Sequence, residues 1–195
     1  DYLRDMVHEG APRTASMGLR ALGEVLCNLP ESEGDMFTYI LGILMTGISH
    51  YEPIVHQMAL TVLCRDVFGS DRISLQQRGI YFARLHKKLL TILSEPHQGQ
   101  LTVFNSAAML NHLYRFIVNY EVAYTAFPFP APKPAAFFPG TFDPFSVGHK
   151  QIVERIREMG FEVYLAVDEF SWSKKTLAKM LRRQIVSISV ADQWD

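Results

Sequence analysis

The chain has 195 residues, of which 48% are hydrophobic, so it can form one large packed domain or two smaller ones. Its 19 basic and 20 acidic residues give a formal net charge of −1, which argues against a nucleic-acid-binding protein because such proteins usually carry a basic excess. No signal peptide and no apolar stretch long enough to span a membrane is recognisable, so we expect a cytoplasmic protein without membrane association.

The amino-terminal part, residues 1–126, has the pattern of successive helices. Apolar residues recur there at helical spacing in several stretches, which are residues 17–26, 36–48, 53–69, 74–93 and 101–124. The second stretch is apolar on nearly all sides, which predicts a central helix buried against several neighbours. We therefore expect an all-helical domain at residues 1–126.

The arrangement of these helices is left open by the sequence. The spacing of Pro53, Val55, Ala59 and Leu63 resembles the second helix of a HEAT-type repeat, with a fainter echo at residues 12–22. An α-solenoid and a plain helical bundle are both compatible with the pattern. No phosphate loop, nucleophile elbow or paired acid motif occurs in this half, so its predicted role, if any, is to bind a protein partner.

Cysteine and histidine usage predicts no metal site. Cys27 and Cys64 both fall within apolar helical patterns, which is typical of reduced thiols in a protein core. The seven histidines do not show the spacing of metal ligands.

A change in composition marks a domain boundary. Residues 127–136 hold four prolines and are predicted to form a stiff extended linker. The following residues, 137–195, predict a β-α-β unit and then a second helix. The predicted elements are a strand at 136–138, a helix at 147–159 that stops at Gly160, a strand at 161–167 and a helix at 177–191.

The most informative segment is FFPGTFDPFSVGH, residues 137–149, where the first strand turns into the first helix. Such a turn presents unpaired backbone N–H groups and the positive end of a helix dipole at one point. His149 lies where the helix begins and adds a group that can carry positive charge. The segment therefore predicts a phosphate-binding site.

This segment, followed by VDEFSWSKK, residues 167–175, resembles the nucleotidylyltransferase superfamily with the T/HxGH signature. The resemblance is closest to phosphopantetheine adenylyltransferase and nicotinate-mononucleotide adenylyltransferase, and covers about residues 136–195. It implies a Rossmann-like α/β fold, here partial. It also implies transfer of a nucleoside monophosphate from a triphosphate, ATP being favoured, to a phosphorylated small-molecule acceptor, with release of pyrophosphate and with Mg²⁺ carried by the nucleotide.

The resemblance also implies the residues of the site. His149 and Lys174 correspond to the catalytic residues, which contact the phosphates as charge develops on them. Thr141 corresponds to the residue that binds the acceptor's phosphate. Lys175 lies beside Lys174 and is the second choice for the same phosphate contact.

The remaining phosphate-binding residues implied by the signature are Gly140, Ser146 and Gly148. The absence of a side chain at Gly148 would let the triphosphate approach the backbone closely. Ser146 replaces the usual His or Thr of the signature, and its oxygen can contact phosphate, cap the helix or do both. Asp143 and Pro144 are interpreted as turn formers. The basic residues from Lys174 to Arg183 fit a solvated helix face as well as a phosphate-binding role.

The later signature that grips the far end of the triphosphate in this family is not found, so we expect a truncated domain with little activity by itself. One alternative function is a helical scaffold for protein interaction, joined to a degenerate nucleotide-binding domain. Nucleic acid and membrane are not expected partners.

Overall fold

The computed structural model describes residues 2–30, 32–93, 100–168, 176–191 and 193, without the side chains of residues 91–93 and 100–106. The described residues group into two compact units, one within residues 1–130 and the other within residues 131–191. The first is entirely helical and the second contains a two-stranded parallel sheet. Each unit has its own hydrophobic core.

The helical unit contains the predicted helices and one more at the amino terminus. Its α-helices are α1 (Tyr2–Glu9), α2 (Pro12–Cys27), α3 (Gly34–Ile48), α4 (Pro53–Thr61), α5 (Leu75–Leu93) and α6 (Gln100–Tyr124). Proline occupies the first turn of both α2 and α4, where its missing N–H group leaves no intrahelical bond unmade.

The core of the helical unit forms where α2, α3 and α4 pack together. As predicted, α3 is buried on most of its surface, and Leu41 and Leu44 are fully enclosed. The predicted stripe of α2 is wrong at two positions: Leu19 is buried, but Met17 is 68% exposed and Val25 42% exposed. The buried face of α2 also includes Gly18 and Gly23, which apolar spacing alone does not mark. The face that packs on the core is therefore centred away from Met17 and Val25.

The helix predicted at residues 53–69 changes its winding halfway. α4 passes into a π-helical segment, Val62–Phe68, which Gly69 closes by donating its backbone N–H to the carbonyl of Cys64 at 3.1 Å. The apolar residues of this segment are buried in the core. A periodicity of 3.6 residues does not predict such a widened turn.

The beginning of the predicted linker packs onto the helical unit. Phe127 stacks on the buried ring of Tyr120, with ring centroids 4.2 Å apart and planes at 13°. It also contacts Phe82 and Phe116. A linker was expected along all of residues 127–136. Its first residue instead packs against the helical unit, because the aromatic ring of Phe127 buries apolar surface there.

The α/β unit consists of β1 (Ala135–Gly140), α7 (Val147–Glu158), β2 (Glu162–Val167) and α8 (Lys179–Ser189). The strands are parallel and pair from Ala135 opposite Glu162 to Gly140 opposite Val167. β1 starts inside the predicted linker. Proline lacks an N–H to donate, but its carbonyl can still accept a hydrogen bond at the start of a strand. Here the Pro134 carbonyl accepts a hydrogen bond from the Glu162 N–H at 2.9 Å.

The core of the α/β unit lies on one face of the sheet. Its buried side chains are Phe142, Phe145, Val153 and Val186. On the other face, Phe137 is 74% exposed and stacks on Tyr164. Gly160 follows α7 with φ of +90°, a conformation that glycine adopts without strain, so the predicted stop signal is confirmed.

Among the described residues, none of the helices combines the length and the apolar character that crossing a membrane requires.

The contact between α5 and α6 leaves no room for a side chain at Gly79. A Cβ atom there would lie 1.9 Å from Cε2 of Tyr120. We expect Gly79→Ala to lower the free energy of unfolding of the helical unit by about 2 kcal/mol or more, since the ring must move out of a packed core. Urea unfolding followed by circular dichroism measures this. Gly34→Ala is the control, because nothing lies within 4 Å of its added Cβ. Equal stability of the two variants would contradict the packing.

Both cysteines are free and buried, as predicted, so their thiols should be unreactive in the folded protein. Burial raises the pKa of Cys64 from 9.0 to about 12 and also raises the pKa of Cys27. At pH 8 we therefore expect no alkylation of either thiol by iodoacetamide over a period in which both react completely in urea. Mass spectrometry of timed samples checks this, and rapid modification of native Cys64 would contradict it.

Candidate functional site

The predicted strand–turn–helix is present at the carboxyl end of β1. Residues 141–146 connect Gly140, the last residue of β1, to Val147, the first residue of α7. Asp143 and Pro144 form a turn, as predicted, and are joined by a cis peptide bond. Phe142 and Phe145 are buried, whereas Ser146 is exposed. The turn is thus held from inside by two aromatic rings and presents its polar residues outward.

Ser146 is the N-cap of α7, so the capping interpretation is confirmed. Its backbone N–H donates to Nδ1 of His149 at 2.9 Å, and its Oγ lies 2.9 Å from the same nitrogen. This is a capping box in which histidine takes the place of the usual Glu or Gln. Because Nδ1 accepts a backbone hydrogen bond, the neutral ring carries its proton on Nε2.

Aromatic rings fix the plane of the His149 imidazole. Phe142 meets it edge-on, with centroids 5.2 Å apart and planes at 90°, and Phe145 lies at 26° with centroids 5.4 Å apart. Phe138 of β1 lies slightly farther away. The orientation of His149 is therefore set by packing as well as by its bond to Ser146. A histidine held in this way offers Nε2–H as a positioned donor.

The first turn of α7 is open to solvent. Val147 is 75% exposed and Gly148 is also exposed. The intrahelical bonding begins with the Lys150 N–H, which donates to the Ser146 carbonyl. The N–H groups of Val147 and Gly148 precede that bond and have no partner within the helix. Together with the positive end of the helix dipole they form a surface suited to an anion.

The glycines of the signature have different surroundings. A Cβ at Gly148 would meet Ser146 Oγ at 3.7 Å, an ordinary van der Waals contact, so the described residues do not exclude a side chain there. A Cβ at Gly140 would lie 2.8 Å from the ring of Phe142. Gly140 thus has a packing reason to be glycine, whereas Gly148 does not.

Within the basic run from Lys174 to Arg183, Arg182 does not fit the interpretation of a solvated face. Arg182 in α8 is fully buried, with 0% exposure, and donates to three backbone carbonyls. Sequence reasoning missed it. The available signal was its position one turn before the buried Val186, where an amphipathic helix would have an apolar residue.

The ends of both strands meet near this arginine. Thr141 follows β1 and its carbonyl accepts from Arg182. Asp168 follows β2, donates its N–H to the Gly140 carbonyl at 3.0 Å, and accepts from Arg182 at its own carbonyl. Thr141 is partly exposed and lies next to the turn. A residue that binds the acceptor's phosphate needs such a position. Its side-chain role remains a prediction.

Two of the predicted phosphate-binding residues, Lys174 and Lys175, lie outside the described residues. Within the described part, the carboxylate of Asp143 joins the turn to the segment before α8, since it accepts the N–H of Leu177 at 3.0 Å. No group of three or more His, Cys, Asp or Glu residues in that part is arranged to hold a metal ion. The residues that come together at the turn are therefore Gly140, Thr141, Ser146, Gly148 and His149.

Comparison with known protein families finds a match in the α/β unit. Residues 137–186 match the family model described as cytidylyltransferase-like. The match covers about a quarter of the chain and includes most of β1, the turn, α7, β2 and the part of α8 that contains Arg182. No curated protein and no solved structure matches the chain. The family match supports placing this segment, though not the helical unit, in the nucleotidylyltransferase superfamily.

Proposed function

We propose that the α/β unit binds the triphosphate of a nucleotide at the first turn of α7 and serves the transfer of its nucleoside monophosphate to a phosphorylated small-molecule acceptor. Pyrophosphate is the leaving group. One observation carries the proposal: the helix start with free N–H groups and an oriented His149 lies inside the segment that matches a cytidylyltransferase-like family. The family match supports a nucleotidylyltransferase-type function in general, and the nucleotide, the acceptor and the roles of individual residues are the proposal.

His149 has the geometry of a phosphate-binding residue. Its Nδ1 is occupied by the Ser146 N–H, so Nε2–H is the donor that remains for a phosphate oxygen. A donor that packing already holds in place loses little freedom when charge develops on the phosphate, and this is the condition for stabilising a transition state. In this proposal His149 binds the α-phosphate side of the triphosphate.

Gly148 has the surroundings of a ligand contact. Among the described residues outside its own helical turn, the nearest atom to a Cβ built at this position is Ser146 Oγ at 3.7 Å, which leaves space in front of the residue. We propose that the triphosphate occupies that space and bonds to the N–H groups of Val147 and Gly148. Lys174 and Lys175 would add positive charge, and Thr141 would bind the acceptor's phosphate.

The proposed reaction needs positioning more than acid–base chemistry. A phosphate acceptor is already anionic and can attack the α-phosphorus directly, while the bond to pyrophosphate breaks. Mg²⁺ enters with the nucleotide and is held mainly by its phosphate oxygens. ATP is the favoured nucleotide, because the motif resembles adenylyltransferases, and CTP is the alternative that the family description names.

Calorimetric titration with Mg·ATP and Mg·CTP tests nucleotide binding and the choice of base. We expect saturable binding, tighter for ATP, and at least a tenfold weaker affinity for His149→Ala because the Nε2–H donor is lost. His8→Ala, at an exposed histidine of the helical unit, is the matched control and should bind as the wild type does. Wild-type affinity in His149→Ala would contradict the proposed site.

Gly148→Ala separates ligand contact from folding. Alanine is the better helix former, so the free energy of unfolding should stay the same or rise by about 0.5–1 kcal/mol. The affinity for Mg·ATP should fall at least tenfold, because the new methyl group fills the space proposed for the phosphates. Thermal unfolding and calorimetry measure the two effects. Unchanged affinity in the stable variant would contradict the proposed phosphate position.

A further inference from the structure

We infer that Arg182 is a positioning residue for the proposed nucleotide site, acting through the turn between β1 and α7. The expected effect of Arg182 on nucleotide binding rests on the proposed function. The contacts that Arg182 makes do not depend on it. Arg182 has 0% exposure, so it cannot itself touch a phosphate. Any influence on the ligand must pass through the groups that it holds.

The guanidinium of Arg182 joins three segments of the α/β unit. Its Nε donates to the carbonyl of Leu177 at 3.0 Å, just before α8. One terminal nitrogen donates to the carbonyl of Thr141 at 2.5 Å, after β1, and the other to the carbonyl of Asp168 at 2.9 Å, after β2. The three donors point in the fixed directions of a planar fork, so the three carbonyls are held in a fixed arrangement.

The bond to Thr141 reaches the site through one peptide group. The Thr141 carbonyl belongs to the peptide that precedes Phe142, so holding that oxygen fixes the plane of the peptide. Phe142 has φ of +46°, a left-handed conformation that is strained for a residue with a side chain. The Arg182 bond and the burial of the Phe142 ring stabilise this conformation.

The ring of Phe142 carries the effect to His149. In the left-handed conformation the ring is buried against Gly140 and meets the His149 imidazole edge-on. If the Thr141–Phe142 peptide could rotate, the ring would leave this position and His149 would lose one wall of its pocket. Arg182 therefore helps to keep Nδ1 of His149 on the Ser146 N–H and Nε2 available for a ligand.

Lysine cannot replace arginine in this role. A single ammonium group has the charge but not the planar fork that reaches three separate carbonyls. The variants Arg182→Lys and Arg182→Met therefore separate charge from geometry. Arg183→Met is the matched control, because Arg183 is the next residue of α8 and is exposed.

Nitrogen-15 NMR of the His149 imidazole in the full chain is the first readout. The wild type should show Nδ1 as an acceptor and Nε2 protonated. In Arg182→Met and Arg182→Lys we expect this single pattern to give way to averaged ring shifts, while the amide signals of β2 show that the unit is still folded. Arg183→Met should retain the wild-type pattern. This measurement needs no nucleotide.

Affinity for Mg·ATP is the second readout. Both Arg182 variants should bind at least tenfold more weakly than the wild type, and Arg183→Met within twofold of it. Wild-type ring shifts and affinity in Arg182→Met would overturn the inference. So would unfolding of the α/β unit in both variants, which would make Arg182 a stabilising residue only. If the wild type binds no nucleotide, the proposed function fails while the NMR result still decides the role of Arg182.

Discussion

A guanidinium group enclosed away from solvent ties the carboxyl ends of both strands of the α/β unit to the start of its last helix. Burying such a charge is costly unless hydrogen bonds replace its lost water, and here three backbone carbonyls do so. The described sheet has only two strands, which by themselves make a marginal structure. Arg182 supplies a connection between segments that strand pairing does not provide.

In the turn between β1 and α7, several local interactions combine to orient the side chain of His149. Ser146 begins the helix and at the same time fixes the tautomer of His149. Phe142 and Phe145 fill the core and at the same time form the walls of the histidine's pocket. Each of these contacts also stabilises the fold. Holding the histidine in this orientation therefore needs little free energy beyond that of folding the turn.

Gly148 differs from Gly140 in the packing around it. A Cβ at Gly140 would lie 2.8 Å from the ring of Phe142, whereas the described residues leave space for a side chain at Gly148. Helix propensity favours alanine over glycine at such a position. The proposed phosphate site would give a physical reason for glycine there, because the phosphates would lie close to the backbone.

Much of this architecture follows from spacing and composition. The helices of the first unit after α1, both strands and the stop at Gly160 were predictable, because periodicity and glycine have direct conformational consequences. The π-helical segment and the docking of Phe127 depend on tertiary packing and carry no local signal. The burial of Arg182 was not predicted, because this residue lies in a run of basic residues. The sequence alone does not show that three carbonyls converge on one point.

Amide chemical shifts during titration with a Mg·nucleoside triphosphate would locate the phosphate site that we propose at the first turn of α7. We expect the largest changes on the backbone amides of residues 146–150 and none in the helical unit. Saturable binding with changes confined to the helical unit, or no change at millimolar nucleotide, would contradict this proposal.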